Sequence, residues 1–303
     1  DVDKLHMYDV YAPLIDEDIN ITYEEAKEIV INALKPLGDK YIEIIKRAFS
    51  ENWIDVYENK GKRSGAYSSG CYEVHPYILL NYNGTVDNLY TLAHELGHAL
   101  HSYFSNQNQP YVDADYKIFL AEIASTLNEC LLTEYLLKNT NDPLEKKMYI
   151  NQYLETFKGT VFRQTKFAEF EKLIHENVEN NIPLTSKNLE DKYRELTKEY
   201  YGDNILLDSE INLEWARIPH FYYNFYVYQY ATGFSAATAI SQKLINNSKN
   251  AVENYINFLK SGDSDYPLNI LKKTGVDMNT AEPIESAITV FKDYLSKFRK
   301  LKE

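Results

Sequence analysis

Apolar residues recur at three- and four-residue spacing through most of the chain, which is the period of an α-helix. The first such run follows Thr22, which stands three residues before Glu25 as in an N-terminal capping box, and it closes at Pro36 and Gly38. Further helices are predicted over residues 39–50, 86–106, 116–138, 143–180, 186–200, 210–218, 220–246, 249–261 and 282–300. The pattern therefore predicts a mainly α fold.

One stretch departs from the helical period. Residues 61–82 contain three glycines, a serine pair and a β-type apolar run at 77–82, and the turn Asn83-Gly84 follows them. We expect a β-hairpin or a small sheet at 61–82, directly before the helix predicted at 86–106. Since no repeat or low-complexity linker interrupts the chain, residues 1–303 are expected to form a single, mostly helical domain.

Composition narrows the class of protein. The chain has 303 residues, with 32 basic against 45 acidic side chains and a net charge of −13, which argues against a general binder of nucleic acid or of anionic membranes. No apolar run reaches the roughly 18–20 residues of a membrane span. The two cysteines, Cys71 and Cys130, cannot form a disulfide framework, so we expect a reducing compartment, the cytoplasm.

The motif that carries chemistry is H-E-L-G-H at residues 94–98. On a helix, His94 and His98 lie on the same face and can bind one metal ion, while Glu95 can reach a water on that ion without being a ligand. The helix is apolar nearly all round, and buried imidazoles and carboxylates need partners or a metal. The alternative is a core helix whose histidines are hydrogen-bonded and whose spacing is accidental. His101 is expected to pack or to support a ligand.

A catalytic zinc site needs a third protein ligand and an open position for water. The apolar run at 119–132 contains Glu122 and Glu129, seven residues apart and so on one helical face. Glu122 has the more apolar flanks and is predicted to be the ligand, with Glu129 supporting a ligand histidine. The two helices within 86–138 are thus expected to hold one zinc ion per chain. The alternative is that either glutamate caps a buried Arg or Tyr.

Tyrosine is unusually abundant, with 27 of 303 residues, and four candidate residues follow Pro219. His220, Tyr223, Tyr226 (or Val227) and Tyr230 would share one face of a helix that begins after Pro219. Tyrosine hydroxyls aligned in this way can donate hydrogen bonds to a developing oxyanion. The alternative is a stripe that simply packs.

The motif at 94–98, followed by Phe-Leu-Ala-Glu-Ile-Ala-Ser at 119–125, resembles the M3 family of zinc metallopeptidases, and within it the oligoendopeptidase F branch. Residues 6–13, 61–67 and 217–233 are similar to that branch as well, so the resemblance runs from end to end. Members of the family are much longer. The resemblance therefore implies the C-terminal catalytic part of a longer protein, with an N-terminal lobe as a further partner.

The resemblance implies a zincin-type catalytic domain in which His94, His98 and Glu122 bind zinc and Glu95 is the catalytic base. It places a histidine and tyrosines over the scissile carbonyl, and His220 with the tyrosines after it are the counterparts. The implied activity is endopeptidase cleavage of short oligopeptides. A carboxypeptidase-like zincin and a non-catalytic helical module stabilised by zinc are the alternatives. The chain lacks the glycine-rich stretch of the thimet-type branch after His220, which leaves open which tyrosine stabilises the oxyanion.

Overall fold

The structure is a computed structural model that describes residues 3–15 and 19–301. Its α-helices are α1 (Tyr23–Leu34), α2 (Asp39–Ser50), α3 (Val86–Asn108), α4 (Ile118–Asn139), α5 (Pro143–Phe157), α6 (Arg163–Glu179), α7 (Ser186–Tyr201), α8 (Tyr228–Ile245), α9 (Ala251–Leu259), α10 (Pro267–Lys272) and α11 (Glu282–Lys300). Its strands are β1 (Leu5–His6), β2 (Ile54–Asp55), β3 (Tyr67–Ser69), β4 (Tyr77–Leu79) and β5 (Ile205–Leu206). The prediction of a mainly α fold with a small sheet is confirmed.

The described residues fall into two compact units. The smaller unit comprises those within Asp1–Asp16 and Thr156–Ala231, and the larger unit comprises those within Glu17–Glu155 and Thr232–Glu303. The boundary between Glu155 and Thr156 lies inside α5, and the one between Ala231 and Thr232 lies inside α8. Whether the chain folds as the single domain expected from the sequence stays a prediction. Across the described ranges, no helix combines the length and the apolar character that crossing a lipid bilayer requires.

The core of the larger unit is built around α3 and α4, which are buried on most of their faces. Helix α1 packs on α4, and its N-terminus has the predicted capping box, in which the Thr22 hydroxyl accepts from the Glu25 N–H and the Glu25 carboxylate accepts from the Thr22 N–H. Capping satisfies backbone donors that the first helical turn leaves without partners.

A three-stranded sheet with strand order β2-β4-β3 precedes α3. Strand β3 is antiparallel to β4, with Ser68 opposite Ile78, so the β-structure predicted at 61–82 is confirmed. Strand β2 is parallel to β4 on the other side, with Ile54 opposite Ile78. The sequence analysis missed β2 because two residues are too few to show alternation.

The smaller unit has its own apolar core. Helices α6 and α7 enclose Phe167, Phe170, Tyr193 and Leu196, and Ile218 and Val227 of the following chain complete the cluster. The parallel pair β1 and β5 joins Leu5 to Ile205 in register. No short-range signal predicts this pair, because its two members are 200 residues apart in the chain.

The predicted helix at 220–246 is wrong over its first turns, because α8 begins only at Tyr228. A 3₁₀ turn, Pro219–Tyr222, is followed by irregular backbone in which Phe225 has a left-handed conformation with φ 56°. The Phe225 N–H bonds to the carboxylate of Glu171 on α6, so it does not take the intrahelical partner that a continuing helix would give it.

Smaller departures concern three other elements. The helix predicted at 143–180 contains a π-helical turn, Lys158–Phe162, in which Gly159 and the β-branched pair that follows it have weak helix propensity. The segment predicted as a helix at 210–218 is the 3₁₀ helix Ser209–Arg217. Helix α10 was missed, since six residues are too few to show a helical period.

Candidate metal centre

Helices α3 and α4 approach each other to backbone contact at Gly97. A Cβ atom on Gly97 would lie 2.5 Å from Ser125 Cα and 2.6 Å from the Ala124 carbonyl oxygen, so only glycine fits at this crossing. Glu122 lies one turn before Ser125 on α4, and His94 and His98 flank Gly97 on α3. The close crossing therefore brings the Glu122 carboxylate against both imidazoles.

The three predicted ligands converge. His94 Nε2 and His98 Nε2 are 3.1 Å apart, and Glu122 Oε2 lies 3.4 Å from the former and 3.6 Å from the latter. Tetrahedral zinc with ligand bonds of about 2.0–2.2 Å separates its ligand atoms by about 3.4 Å. Among the residues that the structure describes, these three form the one group of His, Cys, Asp or Glu side chains so placed. Their spacing suits a single metal ion.

A second layer of contacts fixes the ligands. Glu129 Oε1 lies 2.5 Å from His94 Nδ1, which leaves His94 Nε2 facing Glu122, and the Ser125 hydroxyl donates to Glu122 Oε2 at 3.0 Å. Burial acts to lower the pKa of His94, but the carboxylates of Glu129 and Glu122 outweigh it and raise this pKa well above its usual 6.5. A carboxylate on the outer nitrogen is the arrangement that orients metal-binding histidines.

The protonation states of the other two ligands suit a divalent cation. Burial, with the charge of His94, lowers the pKa of His98 to about 4, so its imidazole is neutral near pH 7. Burial acts to raise the pKa of Glu122, but the hydrogen bond and charges of the two histidines hold it at about 2. Two imidazole nitrogens and one carboxylate oxygen are a donor set that zinc accepts with a coordination position left open.

Glu95 has the environment of a reactive carboxylate. Its side chain is 6% exposed, and its Oε2 has no hydrogen-bond partner within the described part of the chain. The N–H of Ser68 on β3 donates to the carboxylate, and the charges of His94 and Glu122 reach it. Burial raises the pKa of Glu95, which increases its affinity for a proton. A buried oxygen without a protein partner fits a group that acts on a bound molecule.

In the smaller unit, the structure brings His220, Tyr226 and Tyr230 together, although not as predicted. The His220 and Tyr226 rings are stacked with centroids 5.6 Å apart, and the Tyr230 hydroxyl donates to the Tyr226 hydroxyl at 3.4 Å. Tyr223, whose ring lies 6.2 Å from that of Tyr226, is 66% exposed. The interpretation of these four residues as one helical face is wrong, because a left-handed residue and a turn, not a helix, assemble them.

Two other histidines, His101 and His75, stack on aromatic rings. His101 is buried and stacked on Tyr116 with ring centroids 3.6 Å apart, and burial lowers its pKa to about 3. His75 stacks on Trp53 at 4.9 Å. Neither histidine belongs to the group of three metal-ligand candidates, and whether His101 only packs or also supports a ligand stays a prediction.

Sequence reasoning did not identify the roles of Ser68 and Ser125, which contact Glu95 and Glu122. It also missed the small residues that permit the close packing. One is Gly97, and another is Gly233 on α8, where an added Cβ atom would lie 3.4 Å from the Glu122 Cβ. A glycine inside an otherwise apolar helical run is the signal that could have indicated a close helix crossing.

Known proteins resemble the chain over nearly its whole length. The sequence profile of peptidase family M3 matches residues 1–290. Oligopeptidase PepF of Bacillus subtilis is 53% identical over 302 residues, which are 99% of this chain and 45% of that protein. A solved structure from Chlamydophila abortus is 50% identical with a TM-score of 0.90, over 99% of this chain and 51% of that one. The solved structure of oligoendopeptidase F from Enterococcus faecium is 44% identical with a TM-score of 0.77, over 99% of this chain and 47% of that one. The chain thus spans about half the length of the relatives it matches.

Proposed function

The chain belongs to peptidase family M3, and on that premise we propose that it is a zinc-dependent endopeptidase that hydrolyses internal bonds of short oligopeptides. The observation that carries this proposal is the convergence of His94, His98 and Glu122 near the buried, unpartnered carboxylate oxygen of Glu95. Two imidazoles, a ligand carboxylate and a free base are the parts that metal-assisted amide hydrolysis requires.

His94, His98 and Glu122 would hold one zinc ion per chain, with Glu129 fixing the orientation of His94. When bound, zinc polarises a carbonyl oxygen and lowers the pKa of a water to about 7. The protein side chains contribute orientation, because the crossing at Gly97 and the Ser125 hydroxyl hold Glu122 in place.

Glu95 is the proposed general base. Its carboxylate takes a proton from the attacking water as the carbon–oxygen bond forms, and then gives that proton to the amine nitrogen as the carbon–nitrogen bond breaks. Efficient proton transfer requires a base whose pKa is close to the working pH. Burial of Glu95 moves its pKa upward from 4.5, toward that condition.

His220 and one or more of Tyr223, Tyr226 and Tyr230 are proposed to donate hydrogen bonds to the developing oxyanion. The support is the resemblance stated above, together with the assembly of an imidazole and two tyrosine hydroxyls into one cluster. The exposed Tyr223 is the least constrained of the four. The cytoplasmic location and an N-terminal lobe as a partner stay predictions.

The test combines metal analysis with product analysis. Purified chain is assayed for zinc content and for cleavage of an internally quenched peptide blocked at both ends, with and without a chelator, and the products are identified by mass spectrometry. Stoichiometric zinc and chelator-sensitive internal cleavage are expected. Removal of C-terminal residues from an unblocked peptide, without internal cleavage, indicates a carboxypeptidase instead. Stoichiometric zinc without any cleavage contradicts endopeptidase activity of this chain by itself, and favours either a zinc-stabilised helical module or a cleft that is inactive without an N-terminal lobe.

A further inference from the structure

The turn that carries His220 and Tyr226 depends on one strained residue. Phe225 has φ 56°, a left-handed conformation in which the Cβ of an L-residue crowds the following carbonyl oxygen. Its side chain is half exposed, so no deep burial of the ring compensates for the strain. A residue of this kind persists only where its surroundings hold it in place.

Glu171 on α6 contacts the backbone of Phe225. Its side chain is 1% exposed, and its Oε1 accepts a hydrogen bond of 2.7 Å from the Phe225 N–H. A hydrogen bond from a backbone N–H to a carboxylate is charge-assisted and stronger than one between neutral groups. One helical turn further along α6, the His175 ring lies 4.6 Å from the Phe225 ring. Both contacts come from the same face of α6.

The flanks of the turn are anchored in the apolar core to which α6 contributes. Before the bend, Phe221 packs edge-on against Phe170 at 5.7 Å, and after it Val227 joins the apolar core. Apolar packing fixes the two ends of the segment but does not select the backbone conformation between them, because it has no directional preference. The hydrogen bond to Glu171 supplies that direction.

We propose that Glu171 is a positioning residue for the reaction: by holding Phe225 left-handed, it reverses the chain so that Tyr226 stacks on His220. This inference rests on the proposed function, in which His220 and Tyr226 act on the oxyanion. In this proposal Glu171 itself donates neither a hydrogen bond nor a proton to the substrate. Its contribution to rate is the orientation of donors whose misplacement by about 1 Å can cost roughly 10²-fold.

The experiment uses two substitutions of Glu171 and one of Phe225. Glu171→Ala removes the acceptor and is expected to lower kcat roughly 10–100-fold, with zinc content and KM unchanged. Glu171→Gln keeps a carbonyl oxygen that can accept the same bond, and it is expected to retain most of the activity. The matched control is Glu176→Ala, which removes an exposed carboxylate from the same helix and should leave kcat unchanged.

Phe225→Gly separates positioning from general stabilisation of α6. Glycine adopts positive φ without strain, so adding Phe225→Gly to Glu171→Ala should recover roughly tenfold in kcat. A purely structural loss in α6 would not be recovered by a change in the turn. Wild-type kcat in Glu171→Ala, or no recovery in the double variant, overturns the proposal.

A readout independent of catalysis distinguishes failure of this inference from failure of the proposed function. In chain labelled with ¹⁵N-phenylalanine, the Phe225 amide is assigned by its loss in Phe225→Gly, and its hydrogen exchange is measured. Slow exchange is expected in the wild type and in Glu171→Gln, and fast exchange in Glu171→Ala. Fast exchange in the wild type overturns the inference whatever the peptidase assay gives. Slow exchange in a chain that cleaves no peptide contradicts only the proposed function. If Glu171→Ala does not fold, the exchange rates of the Phe225 amide in the wild type and in Glu171→Gln still test the inference.

Discussion

The candidate metal ligands and the His220 cluster are held by different kinds of backbone. His94, His98 and Glu122 project from two helices of 23 and 22 residues that cross in direct contact. His220 and Tyr226 lie on a 3₁₀ turn and irregular chain. In the first region the helical repeat sets the distance between the two histidines, and the crossing at Gly97 brings Glu122 to them. In the second region a hydrogen bond from Phe225 to the distant Glu171 shapes the turn that carries the cluster.

The same contrast appears in how charge is used. At the metal centre, carboxylates gather around two histidines and create a site for a cation. In the smaller unit, the buried carboxylate of Glu214 is surrounded by cations, with Lys166 Nζ at 3.2 Å, Arg163 Nη2 at 2.5 Å and Arg217 Nη2 at 3.3 Å. The Tyr193 hydroxyl also donates to it. Its charge is satisfied internally. The group of His94, His98 and Glu122 could therefore hold a cation, whereas the Glu214 carboxylate is neutralised by the chain's own side chains.

The largest expected effect comes from Glu95→Gln. Glutamine is close in shape but cannot accept the proton, so kcat should fall roughly 10⁴-fold while zinc content stays the same. Cleavage of the quenched peptide and metal analysis on the same sample measure both quantities. Glu43→Gln, at an exposed site on α2, is the matched control. A Glu95→Gln chain that cleaves at the wild-type rate excludes Glu95 as the base.

Glu214→Gln tests whether the charge cluster stabilises the smaller unit. Removing the carboxylate leaves Lys166, which is 1% exposed, without its counter-charge, and the free energy of unfolding should fall by about 3–5 kcal/mol near neutral pH. Urea denaturation measures this loss. Glu210→Gln, in the same 3₁₀ helix but exposed, should change stability by less than about 0.5 kcal/mol.

The effect of Glu214 should depend on pH in a defined direction. Burial acts to raise the pKa of Glu214, but Lys166, Tyr193 and Arg163 outweigh it and hold the pKa below its usual 4.5. The stabilisation is therefore present above the unfolded-state pKa and is lost as the pH falls through the folded-state pKa. The difference between wild type and Glu214→Gln should therefore shrink as the pH falls below the usual glutamate pKa of 4.5. A difference that grows on acidification contradicts this assignment.

The metal-ligand candidates could be predicted because their geometry is local. Two histidines four residues apart share a helical face. An acidic residue within an apolar run indicates a buried carboxylate, which needs a charged partner or a metal ion. The spacing of these residues in the sequence does not predict the distance between α3 and α4. That distance follows from the missing Cβ of Gly97, which matters only once the facing residue is known to be Ser125.

The turn after Pro219 could not be predicted, because its cause lies elsewhere in the chain. Residues 220–232 contain neither glycine nor proline, so their pattern reads as a continuous helix. The bond that stops the helix joins Phe225 to Glu171, 54 residues earlier. A tertiary contact of this kind overrides local propensity and leaves no trace in the spacing of apolar residues.

Gly97→Ala tests the claim that the helix crossing sets the metal site. The new Cβ meets backbone atoms of Ser125 and Ala124 at 2.5–2.7 Å, and backbone cannot move aside as a flexible side chain can. We expect a loss of about 1–3 kcal/mol in unfolding free energy and weaker zinc binding, measured by denaturation and by competition with a chelator. Gly159→Ala is the matched control, because nothing lies within 4 Å of its Cβ position. Equal effects at the two glycines exclude the crossing as the cause.

The smallest expected effect is that of Glu129→Gln, because Glu129 would act on a bound zinc ion only through His94. The glutamine keeps an oxygen that can accept from His94 Nδ1 but loses the charge that raises the pKa of that imidazole. Zinc affinity should fall roughly tenfold, at the low end of the range for groups that orient a ligand, and competition with a chelator measures it. Glu285→Gln, exposed on α11, should leave the affinity unchanged. If Glu129→Gln abolishes zinc binding as completely as Glu122→Gln does, Glu129 is itself a ligand, and the metal centre depends on Glu122 and Glu129 alike.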